Sequence, residues 1–149
     1  MSDRQYERIE TPESLISALR ELLGDRLSTA ASVLEQHGKD ESWHEASPPD
    51  AVVFANSTEE VAEVVKLCAA HDVPIVPFGT GSSLEGHVAA LRGGICIDVS
   101  QMNQILEVNN EDLDCRVQAG VTREQLNDYL RDTGLFFPID PGANASIGG

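Results

Sequence analysis

A strand–helix–strand pattern occupies residues 51–77. The apolar residues 51–54 predict a strand, and the sequence STEE at residues 57–60 has the spacing of a helix capping box. Apolar residues then recur at helical spacing, and residues 73–77 predict a second strand. Two strands joined by a crossover helix lie parallel, with a right-handed connection. Residues 94–99 are almost continuously apolar, which predicts a third strand that is buried on both faces.

A helical lead-in is predicted before this unit. Thr11-Pro12-Glu13 offers a capping hydroxyl, a proline at the first helical position and an acid near the positive end of the helix dipole, and Gly24 ends the helix. A weaker helical pattern covers residues 28–36. A polar segment follows and predicts a boundary, so that residues 1–47 form the lead-in and residues 48–149 the main domain.

Beyond residue 104 the pattern becomes that of an antiparallel unit. Residues 105–109 and 114–119 predict two strands around a polar turn, and the second alternates as a half-exposed strand does. Thr122 opens another capping box, and the helix that follows is predicted to end at Gly134. The chain is therefore predicted to be α+β, with a parallel unit first and an antiparallel unit second.

The composition is that of a soluble domain with an acidic surface. The 149 residues are 41% apolar and 23% charged, and the net charge is −15. This charge disfavours nucleic acids and anionic membranes, because phosphate groups are held mainly by clustered Lys and Arg. No apolar run approaches the roughly 18 residues of a membrane span, and residues 1–7 lack the apolar core of a signal peptide. We therefore expect a cytoplasmic protein.

The three cysteines favour the same compartment. Cys68, Cys96 and Cys115 are odd in number, and none belongs to a C-x-x-C pair. Their apolar neighbours predict buried free thiols in a reducing environment.

A glycine-rich stretch, residues 77–86, follows the second predicted strand. Its sequence, PFGTGSSLEG, holds three glycines and three hydroxyl side chains. Glycine lets backbone N–H groups approach a ligand closely, and several N–H groups in one concavity bind an anion without lysine. An ordinary connecting loop is the alternative. The dinucleotide fingerprint fails because Leu84 occupies its third glycine position, and the P-loop fails because His87 and Val88 follow the last glycine.

The remaining candidate groups form no recognisable reaction centre. His37, His44 and His71 lack metal-like spacing, which favours surface histidines and no metal site. Trp43 is expected to pack against the core. The two serines of the glycine-rich stretch have no evident base to activate them, so no catalytic residue is assigned.

Four stretches together resemble one family of flavoproteins. They are VPIVPFGTGSSLEGH (73–87), GGICIDVSQMNQILEVN (93–109), VQAGVT (117–122) and FFPIDPGANASIGG (136–149). The set is similar to the vanillyl-alcohol oxidase / p-cresol methylhydroxylase family, in the branch of D-lactate dehydrogenase (cytochrome) and the glycolate oxidase subunit. The resemblance covers residues 48–149. It implies part of a PCMH-type FAD-binding domain, with a small parallel β-α-β sheet packed with helices, then the start of a second, mainly antiparallel α+β subdomain.

The resemblance implies an FAD site built from two loops. The first loop, residues 77–86, would surround the FAD pyrophosphate with the N–H groups of residues 79–83. The second loop, residues 140–149, would contact the pyrophosphate and the isoalloxazine. The implied cofactor-binding residues are Pro77, Phe78, Gly79, Thr80, Gly81, Ser82, Ser83, Pro141, Gly142, Ser146, Gly148 and Gly149. Some relatives attach FAD covalently through a histidine where this chain has Ser82, so the resemblance implies non-covalent FAD, and His87 is expected to pack instead of linking the flavin.

The resemblance also implies an activity for the whole protein. It would oxidise a D-2-hydroxy acid such as D-lactate or glycolate by hydride transfer to FAD, and the electrons would leave to a cytochrome, a quinone or an electron-transfer flavoprotein. The base and the substrate ligands would lie in a later substrate domain. We therefore expect this chain to be a fragment that is inactive alone, and its unpaired sheet edge favours a homo-oligomer. The alternative is a non-catalytic nucleotide-binding or structural module on the same scaffold.

Overall fold

The computed structural model describes residues 6–149. Residues 1–5, part of the N-terminus for which no signal peptide is predicted, lie outside this range.

Two 3-10 turns, Gly24–Arg26 and Arg131–Thr133, follow the first and last helices. The helices are α1 (Glu13–Leu23), α2 (Ala31–His37), α3 (Thr58–Ala70) and α4 (Arg123–Leu130), and the strands are β1 (Leu27–Ser28), β2 (Ala51–Phe54), β3 (Ile75–Phe78), β4 (Ile95–Asp98), β5 (Ile105–Asn109) and β6 (Asp114–Val117).

The strands form a four-stranded mixed sheet and a separate hairpin. The sheet order is β1-β2-β4-β3, in which β2 and β3 are both parallel to β4 and β1 is antiparallel to β2. The predicted parallel strands are confirmed, and β4 lies between the two strands of the strand–helix–strand unit. All four residues of β4 are buried, as its apolar sequence predicted. The fold is therefore α+β, as expected.

Strand β1 differs from the prediction. The sequence pattern places Ser28 at the start of a weak helix, whereas Ser28 pairs with Val52 in the sheet and α2 begins at Ala31. Leu27, opposite Val53, is buried. Two residues are too few to leave an alternating pattern, so periodicity could not reveal this strand.

The lead-in shares one hydrophobic core with the sheet. Leu15 and Leu19 of α1 are fully buried in the same cluster as Val64 of α3 and Ile95 of β4. Burial of each such side chain stabilises the fold by about 2 kcal/mol. The helix α1 is thus part of the main core and packs against α3.

Asp50 joins the lead-in to the sheet. Its carboxylate accepts hydrogen bonds from Arg8 Nη2 at 2.5 Å, Thr11 Oγ1 at 2.6 Å and Gly94 N at 2.8 Å. Burial raises the pKa of Asp50, but these hydrogen bonds outweigh it and leave the pKa below its usual value. Thr11, predicted as the hydroxyl cap of α1, bonds to Asp50 instead, and Pro12 occupies the N-cap position without a side-chain bond.

The antiparallel unit is confirmed as a hairpin of β5 and β6 packed with α4. Val121, Leu126 and Leu130 are buried in a cluster of their own, which Ile105 and Phe137 help to cover. The N-cap residues of both predicted capping boxes are confirmed: the Ser57 side chain accepts from Glu60 N at 3.2 Å, and the Thr122 side chain accepts from Gln125 N at 3.3 Å.

Two side chains expected to be buried are exposed. Trp43 is 89% exposed, because it lies in an irregular polar segment outside the core. Cys115 is exposed on β6, whereas Cys68 and Cys96 are buried free thiols as predicted.

Across residues 6–149, no helix has the length and apolar character that crossing a membrane requires. In the same range, no group of three or more His, Cys, Asp or Glu side chains is placed to hold a metal ion.

Candidate functional site

The two glycine-rich loops meet in one cleft of about 300 Å³. The first loop leaves the carboxyl end of β3, and the second follows the segment after α4. Of the residues implied to bind the cofactor, most line this cleft and three do not: Pro77, Phe78 and Gly142. The lining residues are Gly79, Thr80, Gly81, Ser82, Ser83, His87, Val88, Pro141, Ala145, Ser146, Ile147, Gly148 and Gly149.

The loops approach each other as closely as glycine permits. A Cβ on Gly79 would collide with the Ser146 side chain and lie 2.7 Å from the carbonyl oxygen of Gly148. A Cβ on Gly149 would lie 2.5 Å from the backbone nitrogen of Gly79. The absence of side chains at these positions therefore allows the two loops to touch.

The second loop is fixed to the start of α4. Gly148 N donates to Ala119 O at 2.7 Å and Ile147 N donates to Val121 O at 2.8 Å. Ser146 forms an isolated antiparallel bridge with Thr122, the N-cap residue of α4. The antiparallel unit thereby holds the second loop against the first.

The part of the first loop that lines the cleft has unused hydrogen-bond donors. No hydrogen bond among the described residues uses the backbone N–H groups of residues 79–83. The hydroxyls of Thr80 and Ser82 lie 3.1 Å apart. Among the residues that line the cleft, His87 is the only one with a basic side chain. An anion bound here would be held mainly by backbone dipoles and hydroxyl groups.

A buried histidine–carboxylate pair lies beneath the first loop. His37 is 7% exposed, and its Nε2 lies 2.8 Å from Oδ2 of Asp98, the last residue of β4. Its Nδ1 lies 2.8 Å from Val33 O. Burial lowers the pKa of His37, but the hydrogen bonds to Asp98 and Val33 and the Asp98 charge raise it further, so the pKa lies above its usual value. The expectation of a surface histidine was wrong at this position; His44 is exposed and His71 half-buried.

The polar segment before β2 also contacts the first loop. Asp40 is 7% exposed, and its Oδ2 accepts from Gly86 N at 2.8 Å while its Oδ1 accepts from Ser42 N at 3.0 Å. Glu41 N donates to Ser83 O at 3.1 Å. Ser42, with the largest effect, and Gly86 N–H hold the pKa of Asp40 below its usual value.

The sequence alone could not predict the Asp40–Gly86 contact or the His37–Asp98 contact. The segment around Asp40 has the composition of a linker, and its partner Gly86 lies 46 residues away. His37 and Asp98 are separated by 61 residues, and nothing in the spacing of single His and Asp residues links them.

The residues of the cleft fit an FAD pyrophosphate. Two negatively charged phosphates need several converging donors, which the N–H groups of residues 79–83 can supply. Glycine is present where a Cβ would force the loops apart. The mixed sheet and the paired loops thus define a nucleotide-cofactor-binding module of the α+β class.

Comparison with known families identifies the module. A family model described as "FAD binding domain" matches residues 49–149. The chain belongs to this family, which confirms the resemblance of its four sequence stretches.

Several proteins of known name are similar to the chain. "Probable D-lactate dehydrogenase, mitochondrial" of Danio rerio is 51% identical over 138 residues, which are 92% of this chain and 28% of that protein. "D-lactate dehydrogenase [cytochrome], mitochondrial" of Arabidopsis thaliana is 46% identical over 142 residues, 94% of this chain and 25% of that protein. "D-2-hydroxyglutarate dehydrogenase" of Stutzerimonas stutzeri is 36% identical over 142 residues, 93% of this chain and 31% of that protein. The chain thus spans between a quarter and a third of the length of these relatives.

A solved structure shares the fold. p-Cresol methylhydroxylase with substrate bound superposes with a TM-score of 0.77 at 28% sequence identity, over 92% of this chain and 28% of that chain. The PCMH-type fold implied by the sequence is confirmed.

Proposed function

We propose that this chain is the FAD-binding part of a flavin-dependent dehydrogenase or oxidase that acts on a D-2-hydroxy acid of the D-lactate or glycolate type. The observation that carries the proposal is the meeting of the two glycine-rich loops in one cleft, whose lining includes residues 79–83 with backbone N–H groups that form no hydrogen bond among the described residues. Membership of the FAD-binding family and the names of the relatives support it.

The chain's own residues would bind and orient the cofactor. The N–H groups of residues 79–83 donate to the pyrophosphate, and the hydroxyls of Thr80 and Ser82 add two adjustable donors. Pro141, Ser146, Gly148 and Gly149 close the cleft from the opposite side. FAD, when bound, supplies an acceptor for the hydride that leaves the substrate C2.

Phe78, Pro77 and Gly142 have indirect roles in this proposal. Pro77 and Phe78 end strand β3 and set the direction in which the first loop leaves the sheet. Gly142 has a positive φ of 80° and allows the turn at the start of the second loop.

The cofactor is proposed to be non-covalent, because Ser82 stands where some relatives have a linking histidine. Acid precipitation of the FAD-loaded protein tests this point: the flavin should stay in the supernatant. A yellow precipitate would show a covalent link, and His87 would be the first residue to examine since it also lines the cleft.

The substrate is tested with the full-length, FAD-loaded protein under anaerobic conditions. D-lactate, glycolate and D-2-hydroxyglutarate are mixed with the protein in turn, with L-lactate as the stereochemical control. We expect a D-2-hydroxy acid to bleach the flavin absorbance and L-lactate to leave it unchanged. FAD binding without bleaching by any of these acids would favour the non-catalytic module instead.

The electron acceptor and the location are part of the same proposal. We propose a cytochrome, a quinone or an electron-transfer flavoprotein as acceptor, and the name of the Arabidopsis relative, which includes "[cytochrome]", supports the first. The cytoplasmic location stays a prediction, and the Danio and Arabidopsis relatives are named as mitochondrial. Cell fractionation that finds the protein in an organelle would contradict it.

A further inference from the structure

The first loop has no regular structure of its own. Between the end of β3 at Phe78 and the start of β4 at Ile95, the chain forms neither helix nor strand. Such a segment presents five N–H groups to one ligand only if other parts of the protein hold its conformation. Residues 37–41, which precede β2, contact the loop at both of its ends.

The far end of the loop is held by Asp40. Its buried carboxylate accepts from Gly86 N at 2.8 Å, and Gly86 has a positive φ of 74°. A bond from an N–H group to a carboxylate is roughly twice as strong as one to a neutral acceptor. The adjacent Glu41 N–H donates to Ser83 O at 3.1 Å, which fixes the middle of the loop through its backbone.

The near end of the loop rests on His37. The ring centroids of His37 and Phe78 are 4.5 Å apart. The Phe78 ring in turn packs under Gly81, where a Cβ would lie 2.7 Å from Phe78 Cζ. Asp98 and Val33 O fix the imidazole by hydrogen bonds to both of its nitrogens.

We propose that Asp40 and His37 are positioning residues, which hold the first loop so that its N–H groups converge on the FAD pyrophosphate. Neither side chain lines the cleft. Both residues precede the part of the chain that the family model matches, which starts at residue 49. The inference rests on the proposed function, since it assigns how this chain shapes its FAD site.

Asp40 gives the sharpest test. Dissociation constants for FAD and for ADP, which contains the pyrophosphate without the flavin, are measured with the full-length protein as wild type, Asp40→Ala and Asp40→Asn. Asp40→Ala should weaken both ligands about tenfold, because one charge-assisted hydrogen bond that shapes the loop is lost. Asp40→Asn should weaken both about threefold, because its amide oxygen still accepts from Gly86 N. The exposed Glu45 provides the control, and Glu45→Ala should bind as wild type.

His37 gives an independent test. His37→Gln should weaken FAD and ADP several-fold, whereas His71→Gln, which changes a histidine bonded to Leu67 O of its own helix, should not. All titrations are made where urea unfolding shows the apo variants to be fully folded, so that lost affinity does not reflect lost structure. If His37→Gln does not fold, the Asp40 variants decide.

The outcomes separate the two proposals. If wild type binds neither FAD nor ADP, the proposed function fails. If wild type binds both and Asp40→Ala binds them equally well, the positioning role is wrong and the proposed function stands. Equal losses of affinity in Asp40→Ala and Asp40→Asn would also overturn the positioning role, because the amide oxygen retained in Asp40→Asn should preserve part of the affinity.

Discussion

His37 Nε2 lies 2.8 Å from Asp98 Oδ2 in the interior, directly below the strand end that begins the first loop. Val33 O accepts from the other ring nitrogen, which assigns a proton to Nδ1. When Nε2 also carries a proton, the ring is a buried imidazolium that faces the Asp98 carboxylate. This pair connects helix α2 of the lead-in to the central strand of the sheet.

The pair should make stability depend on pH. The pKa of His37 is raised on folding above the value of about 6.5 that histidine has in unfolded chains. Its contribution is therefore fully present below pH of about 6.5 and is lost as pH rises through the folded pKa of His37. Urea unfolding of the wild type, repeated at increasing pH above about 6.5, should show a free energy of unfolding that declines with pH. His37→Gln should remove that decline, and a decline of the same size in the variant would contradict the assignment.

Removing one partner of the pair should be costly. Asp98→Ala or His37→Ala leaves the other group buried without its partner, and we expect each to lower the free energy of unfolding by about 3 kcal/mol. The double variant should cost less than the sum of the single variants. Additive losses in this double-mutant cycle would show that the two side chains do not interact.

Asp50 should make the protein sensitive to acid. The pKa of Asp50 is lowered on folding, so its contribution is present above its usual pKa of about 3.9 and is lost as pH falls through the lower folded value. Asp50→Asn should lower the free energy of unfolding by about 2 kcal/mol near neutral pH, because Arg8 and Thr11 lose a charged acceptor. Asp50→Asn should also reduce the loss of unfolding free energy at low pH. An unchanged loss would assign acid unfolding to other carboxylates.

Gly79→Ala should weaken FAD binding at least tenfold. The added methyl would lie 2.7 Å from Gly148 O and would separate the two loops. Gly134→Ala is the control: it lies outside both loops with nothing within 4 Å of a Cβ, and only its positive φ opposes alanine, at a cost of about 1 kcal/mol. FAD titrations and urea unfolding separate the effects. Equal affinity for Gly79→Ala and wild type would mean that loop contact does not matter for binding.

The thiols should differ in reactivity. Burial raises the pKa of Cys68 to about 11 and that of Cys96 to about 12, whereas Cys115 is exposed on β6. Brief treatment of the native protein with iodoacetamide, followed by peptide mass spectrometry, should find the label at Cys115. In urea all three cysteines should react, and labelling of Cys68 in the native protein would contradict its burial.

The sequence predicted local features of the fold better than contacts between distant segments. Capping boxes at Ser57 and Thr122 and the apolar run of β4 involve residues close along the chain, so each leaves its own pattern. The burial of His37 and the role of Asp40 depend on partners in other segments, which no local pattern encodes. Trp43 was misjudged because its size favours burial while its place in an irregular polar segment leaves it outside the core.

In the candidate site too, the sequence predicted the loops themselves better than the contacts between distant segments. The glycine spacing and the family resemblance indicated both loops, and nine of the twelve predicted residues line the cleft. Pro77 and Phe78, which belong to strand β3, and Gly142 are not part of the cleft lining.

The most direct test is an experimental structure of the full-length protein with FAD. The account predicts pyrophosphate oxygens within hydrogen-bond distance, about 2.7–3.2 Å, of N–H groups in residues 79–83, with the second loop on the opposite side. FAD bound at another surface, or a pyrophosphate held by lysine and arginine side chains away from this cleft, would contradict it.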